Sequence, residues 1–226
     1  MTVPAAASLT SERRQKLQRR IRWIVAGTIS YNVVEAVIAI VSGAAASSTA
    51  LVGFGLDSIV EVLSAAAVAW QFAAPEPEKR ERAALRLIAV AFFALAAYVG
   101  ASSVLDLMGG AEAERSPIGL ALVAVSLAVM PFVSWFERQT GRELGSASAV
   151  ADSKQTLICA GLSAAVLVGL VLNAWLGWSW ADPAAALVLA GVAVREGLEA
   201  WRGEACAQPA AVLAGEREPC GDSDCC

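Results

Sequence analysis

The sequence predicts an all-α integral membrane protein, a bundle of six transmembrane helices with both termini cytoplasmic. Three observations lead there. Of the 226 residues 57% are hydrophobic and only 17% charged, against about 25% charged in soluble domains, and the mean hydropathy is +0.59. Six stretches are apolar for about the 20 residues that a helix needs to cross a hydrocarbon core of about 30 Å. The Lys and Arg residues gather at one end of those stretches, as cytoplasmic loops do.

The six segments are 22–44, 49–72, 84–108, 117–136, 150–176 and 179–201. They are continuous and rich in Ala, Leu and Val, which disfavours the alternating pattern of membrane strands. The first is not expected to be a cleaved signal, because its core is long and carries polar residues. Ala74-Pro75-Glu76-Pro77 breaks the chain after the second segment, since proline cannot continue a helix and restricts its predecessor. Gly109-Gly110 ends the third, and Gly141 to Ser148 is expected to join the fourth and fifth. Residues 1–21 read as a basic cytoplasmic segment, 22–201 as the membrane domain, and 202–226 as a disordered cytoplasmic tail containing cysteines.

Orientation follows from the cations. Of 17 Lys and Arg residues, only Arg115 falls on the far side. The rest lie in the N-terminal segment (Arg13, Arg14, Lys16, Arg19, Arg20, Arg22), after the second segment, between the fourth and fifth, and toward the C-terminus. The net charge of −4 does not oppose this, because the rule concerns Lys and Arg alone. It does exclude a basic nucleic-acid binder. The chain has no histidine, which removes His-based acid–base catalysis, Ser-His-Asp triads and His metal sites. No nucleophile–base pair or phosphate loop is visible, and no enzyme is expected.

Ionisable groups inside a span are costly and mark function. Asp57 and Glu61 lie well inside the second segment, four apart and so on one helical face. Two such carboxylates repel when both are ionised; a divalent cation removes that repulsion and displaces protons. The pair therefore suits a cation site coupled to proton release, the other reading being a hydrogen-bonded brace between helices. The fifth segment presents a matching face of Asp152, Gln155, Thr156 and Cys159. Gln155 offers an amide oxygen, and Cys159 a thiolate that suits zinc or cadmium. Lys154 either snorkels to the surface or pairs with an acid. Asn32 and Glu35, three apart in the first segment beside Tyr31, form an accessory polar patch that lines a pathway or braces the second helix. Asp106, Asp182, Arg195, Glu196 and Glu199 lie near span ends and read as interfacial charges. Recurrent small residues, Gly53 and Gly55 among them, indicate close helix packing. Cys206, Cys220, Cys225 and Cys226 lie in the tail, where cytoplasmic thiols stay reduced; they could chelate a soft metal.

On these residues the chain resembles the cation diffusion facilitator family over about 20–205. The second-segment match runs from Ser48 to Asp57-Ser58 and Glu61, the fifth runs through Ala151-Asp152, Gln155 and Cys159, and Trp180-Ala181-Asp182-Pro183 is similar to the family's start of the sixth helix. The resemblance implies proton-coupled efflux of a divalent metal through a site between the second and fifth helices, in the plasma (inner) membrane. It implies Asp57, Glu61, Gln155 and Cys159 as ligands and Asp152 as an accessory one. Gln155 and Cys159 stand where the family usually shows His and Asp, which points to a softer cation. The family's C-terminal cytoplasmic domain is expected to be absent, so a homodimer would rest on the membrane helices. The partners implied are the divalent metal as substrate, protons and the lipid bilayer, with no cofactor and no nucleic acid. The alternatives are a transporter of small organic cations and a non-transporting metal-sensing or scaffold protein working through its Cys tail.

Overall fold

The fold is drawn from a computed structural model that describes residues 11–72, 78–109, 113–144 and 147–202. Among these residues six helices follow in order: α1 (Ser11–Ala45), α2 (Thr49–Phe72), α3 (Glu78–Leu107), α4 (Pro117–Leu144), α5 (Ala147–Leu176) and α6 (Ala181–Arg202). No strand occurs among the described residues.

Five of the helices contain stretches long and apolar enough to cross a membrane: Trp23–Ala45, Thr49–Ala67, Arg82–Leu107, Pro117–Thr140 and Thr156–Leu176. Helix α6 has 22 residues and so is about 33 Å long, but Asp182, Arg195, Glu196 and Glu199 make it the exception to the expected six apolar spans. The N-terminal basic stretch is helical from Ser11 and continues α1 beyond its span.

The ends obey local chemistry. Beyond α3, Gly109 adopts φ 103°, and beyond α5, Gly177 adopts φ 69°. Both angles are left-handed, where glycine has no Cβ to clash. The Gly177 N–H donates to the Asn173 carbonyl at 3.1 Å, closing the α5 cap. The expected α2–α3 break falls in residues 73–77, outside the described residues. The expected connection from Gly141 to Ser148 is different: α4 runs through Gly141 to Leu144 and α5 starts at Ala147. One glycine costs a helix only about 1 kcal/mol relative to alanine, which leaves room for neighbouring residues to carry the helix past it.

Packing closes the six helices into a ring. α1 touches α2 and α4, α3 touches α2 and α6, and α5 touches α4 and α6, while α2 also reaches α5 and α6 across the middle. α2 is accordingly the most buried of the five apolar spans. Its core side chains Leu51 and Phe54 pack with Ile88, Val99, Val166 and Leu189. Outward, Val37, Val41, Leu87, Val90, Val125 and Val168 stand exposed, a surface that water would not favour and lipid would.

All seven tryptophans are exposed as well, in two levels. Trp23, Trp70, Trp135 and Trp201 lie near the ends of the apolar stretches that the basic residues flank. Trp175, Trp178 and Trp180 lie at the opposite end, around the α5–α6 turn. Tryptophan favours the two membrane interfaces, so these levels read as the borders of a bilayer.

Close approach sets where α2 stands. A Cβ on Gly55 would fall 2.8 Å from Ile40 Cγ1 and 3.0 Å from the Ile40 backbone nitrogen. Gly55 lies two residues before Asp57, so α1 positions that carboxylate through this contact. We expect Gly55→Ala to lower stability by about 1–3 kcal/mol, the usual cost of overpacking. Gly161→Ala, with nothing within 4 Å of the new Cβ, is expected to be neutral or slightly stabilising. Thermal unfolding in detergent compares them; equal midpoints would remove the close approach as a constraint.

Candidate metal centre

Helix periodicity puts Asp57 and Glu61 one turn apart on the face of α2 that meets α5. Cys159 comes from α5. The sulfur of Cys159 and one carboxylate oxygen from each acid lie within 4.8 Å of one another. An ion centred in an equilateral triangle of that side would sit about 2.8 Å from each corner, so a contraction of about half an ångström reaches the 2.0–2.3 Å bonds of zinc.

The surroundings are buried and tight. Asp57 is 5% exposed and Cys159 2%, with Glu61 partly buried. The three line a small cavity of about 10 Å³, walled by Phe92, Ile158, Leu162, Val192 and Ala193 and reached by Glu196. That is room for about one water-sized body. The arrangement supplies two hard oxygens and one soft sulfur from two helices, the mixed set that suits a borderline cation.

Hydrogen bonds fix the acids from α1. The Asn32 amide donates to Glu61 Oε2 at 2.6 Å. The Ser58 hydroxyl donates to Glu35 Oε2 at 3.0 Å. Glu35 is 1% exposed and Asn32 4%, so the polar patch of α1 faces α2. Glu35 Oε1 and Asn32 Oδ1 make no hydrogen bond among the described residues. Both contacts join α1 to α2.

The remaining ligands expected from sequence lie outside what can be described. Helix α5 carries the backbone through 152 and 155, but the side chains of Asp152, Lys154 and Gln155 are outside the described residues, as are the four cysteines of the tail.

Three acids behave otherwise than their sequence positions suggest. Asp182 reads as an interfacial charge, yet it is 1% exposed. It accepts from the Ser48 hydroxyl at 2.5 Å and from the Ala50 backbone N–H at 3.1 Å, so α6 caps the start of α2. Glu196 also reads as interfacial, yet it lines the cavity of Asp57, Glu61 and Cys159, with one oxygen buried and without a hydrogen bond among the described residues. Glu137 falls one residue past the expected fourth span. Because α4 continues to Leu144, Glu137 is 1% exposed and accepts from Thr156 at 3.4 Å. A depth count along the longer helix would have found Glu137; no local signal marks the other two.

Comparison with known proteins agrees with this architecture. An uncharacterized transporter of Synechocystis sp. is 28% identical over 150 residues, 62% of this chain and 48% of the relative. The chain thus spans about half the length of the curated relative it matches. The family model described as the cation efflux transmembrane domain matches residues 26–202, nearly the whole helical ring, and the chain belongs to this family, the cation diffusion facilitators.

Proposed function

We propose that the chain carries a divalent heavy-metal cation, zinc or cadmium, out of the cytoplasm in exchange for protons, binding it between α2 and α5. The observation that carries this reading is the approach of Asp57, Glu61 and Cys159 to within 4.8 Å at their donor atoms. Two carboxylates and a thiolate in a cavity with apolar walls repel one another. A doubly charged cation offsets that repulsion, and protons replace it when the cation leaves.

In this reading α6 is the sixth span. Its support is Trp180 and Trp201, exposed at either end of α6 and about 32 Å apart at 1.5 Å per residue, which matches the hydrocarbon thickness. Both termini are then cytoplasmic and the membrane is the plasma (inner) membrane; the basic end of the ring supports that orientation. Glu196 lies six residues before the cytoplasmic end of α6 and receives the cation first. Asp57, Glu61 and Cys159 hold it, with Gln155 as a fourth ligand and Asp152 as an accessory one. Asn32 keeps the Glu61 carboxylate aimed. Rocking of the helices then opens the site to the other side.

A small organic cation is the poorer fit, because a cavity of about 10 Å³ admits a bare ion but no carbon skeleton. The thiol gives the sharpest test. In liposomes loaded with a metal-sensitive dye, Cys159→Ser is expected to lower cadmium flux at least about 10-fold and zinc flux less, because sulfur favours the softer ion. Equal losses for both metals, or none, would remove Cys159 from the coordination sphere.

A further inference from the structure

The basic extension of α1 takes no part in the metal centre, and it builds a site of its own. Arg13, Lys16, Arg20 and Trp23 recur at three, four and three residues and so share one stripe of the helix. Leu17, 6% exposed, anchors the extension against the protein. Two contacts join the stripe to the end of α4. Arg13 Nη2 lies 3.3 Å from Glu143 Oε2, and the Arg20 guanidinium carbon lies 4.3 Å from the centre of the Phe136 ring. Beside the end of α4 lies a broad, open cavity of about 490 Å³, lined by Arg13, Lys16, Arg19, Arg20 and Trp23 of α1 and by Glu143 of α4. Among the described residues the lining holds four cations and one carboxylate, and a second carboxylate, Glu12, pairs with Lys16 from outside it.

Its depth decides what can occupy it. Trp23 opens the apolar span of α1 and is 69% exposed. Glu143 lies three residues past Thr140, where the span of α4 ends. At 1.5 Å per residue Arg19 and Arg20 stand about 5 Å beyond Trp23 and Lys16 about 10 Å. The polar layer on each side of a bilayer is about 5–8 Å thick. The membrane side of the cavity, at Arg19, Arg20 and Trp23, therefore lies at the level of the lipid headgroups, and its far side, at Lys16 and Arg13, stands beyond them. The Lys16–Glu12 and Arg13–Glu143 pairs are exposed, and such pairs are weak enough for a phosphate to compete.

We propose that this cavity binds the phosphate-bearing headgroup of an anionic membrane lipid. Basic pockets beside a span at the cytoplasmic surface suit that chemistry, each Lys or Arg strengthening the attraction about fivefold. The site is independent of the metal centre and of which cation is carried.

Native mass spectrometry of the full chain, stripped of lipid and titrated with phosphatidylglycerol or phosphatidylcholine, tests it. The expected result is retention of one phosphatidylglycerol with a preference of at least about 10-fold, weakened by raising ionic strength. Lys16→Ala with Arg20→Ala is expected to lower that affinity about 25-fold and to leave phosphatidylcholine unchanged. Lys79→Ala with Arg82→Ala, outside the cavity, is expected to change neither. The salt response of the unaltered chain keeps the test valid should the first variant fold poorly. Equal retention of the two lipids, a preference that survives Lys16→Ala with Arg20→Ala, or a preference indifferent to salt would overturn the proposal. Full displacement of the lipid by millimolar inorganic phosphate would also overturn it, assigning the cavity to free phosphate.

Discussion

Exchanging Asp57 for asparagine is expected to cut zinc and cadmium transport at least about 100-fold while leaving the fold intact. Losing even an outer partner of a metal ligand costs roughly 10- to 100-fold in affinity, and Asp57 offers its oxygen directly to the cluster. Asparagine keeps the volume of this 5% exposed side chain, so its packing is preserved. Glu61→Gln is expected to match that loss, and the double variant to be little worse than either, because in the proposed site both acids serve one ion. The measurement is flux into dye-loaded liposomes at equal reconstituted protein. A second readout separates binding from movement. Metal at 100 times its dissociation constant stabilises a one-site protein by about 2.7 kcal/mol, so the unaltered chain should unfold at a higher temperature with zinc or cadmium present. Asp57→Asn should lose that increment while keeping the metal-free midpoint. Flux within about threefold of the unaltered chain would show that the carboxylate pair is architecture.

This centre was legible in the sequence to the extent that its geometry is local. Asp57 and Glu61 share a face because a helix makes them do so, and Cys159 falls on the polar side of α5 by the same rule. What faces what is another matter. Asn32 was visible as part of a polar patch, but the choice of Glu61 as its partner depends on the crossing of α1 and α2, which Gly55 and Ile40 set at close range. The helix limits were readable where proline or glycine forces the backbone to turn, as at Gly109. They were not readable at Gly141, which a helix tolerates. Glu196 and Asp182 were hidden for a third reason. Each stands in α6 close to an end, where a charge usually meets headgroups or water. Only the packing of α6 against α2, α3 and α5 turns these two acids inward.

Asp182 yields the largest expected effect on stability. Its carboxylate satisfies the Ser48 hydroxyl and the Ala50 backbone N–H, one of the amide donors that the first turn of a helix leaves without an intrahelical partner. All three groups are buried. Asp182→Ala leaves both donors without an acceptor, at about 1–3 kcal/mol each when buried, so a loss of about 2–4 kcal/mol is expected after partial relaxation. Asp182→Asn keeps a side-chain oxygen and ranks with aspartate as a cap; it is expected to recover most of that loss. Thermal unfolding in detergent distinguishes the three chains. The consequence should reach the metal centre, because Asp182 holds the start of the helix that carries Asp57 two turns further on. Asp182→Ala is therefore expected to weaken the metal-induced stabilisation as well as the metal-free midpoint, whereas Asp57→Asn should touch only the former. An Asp182→Ala chain that unfolds within about 0.5 kcal/mol of the unaltered one would mean that α2 is seated by its apolar contacts alone, and that the buried carboxylate on α6 serves another purpose.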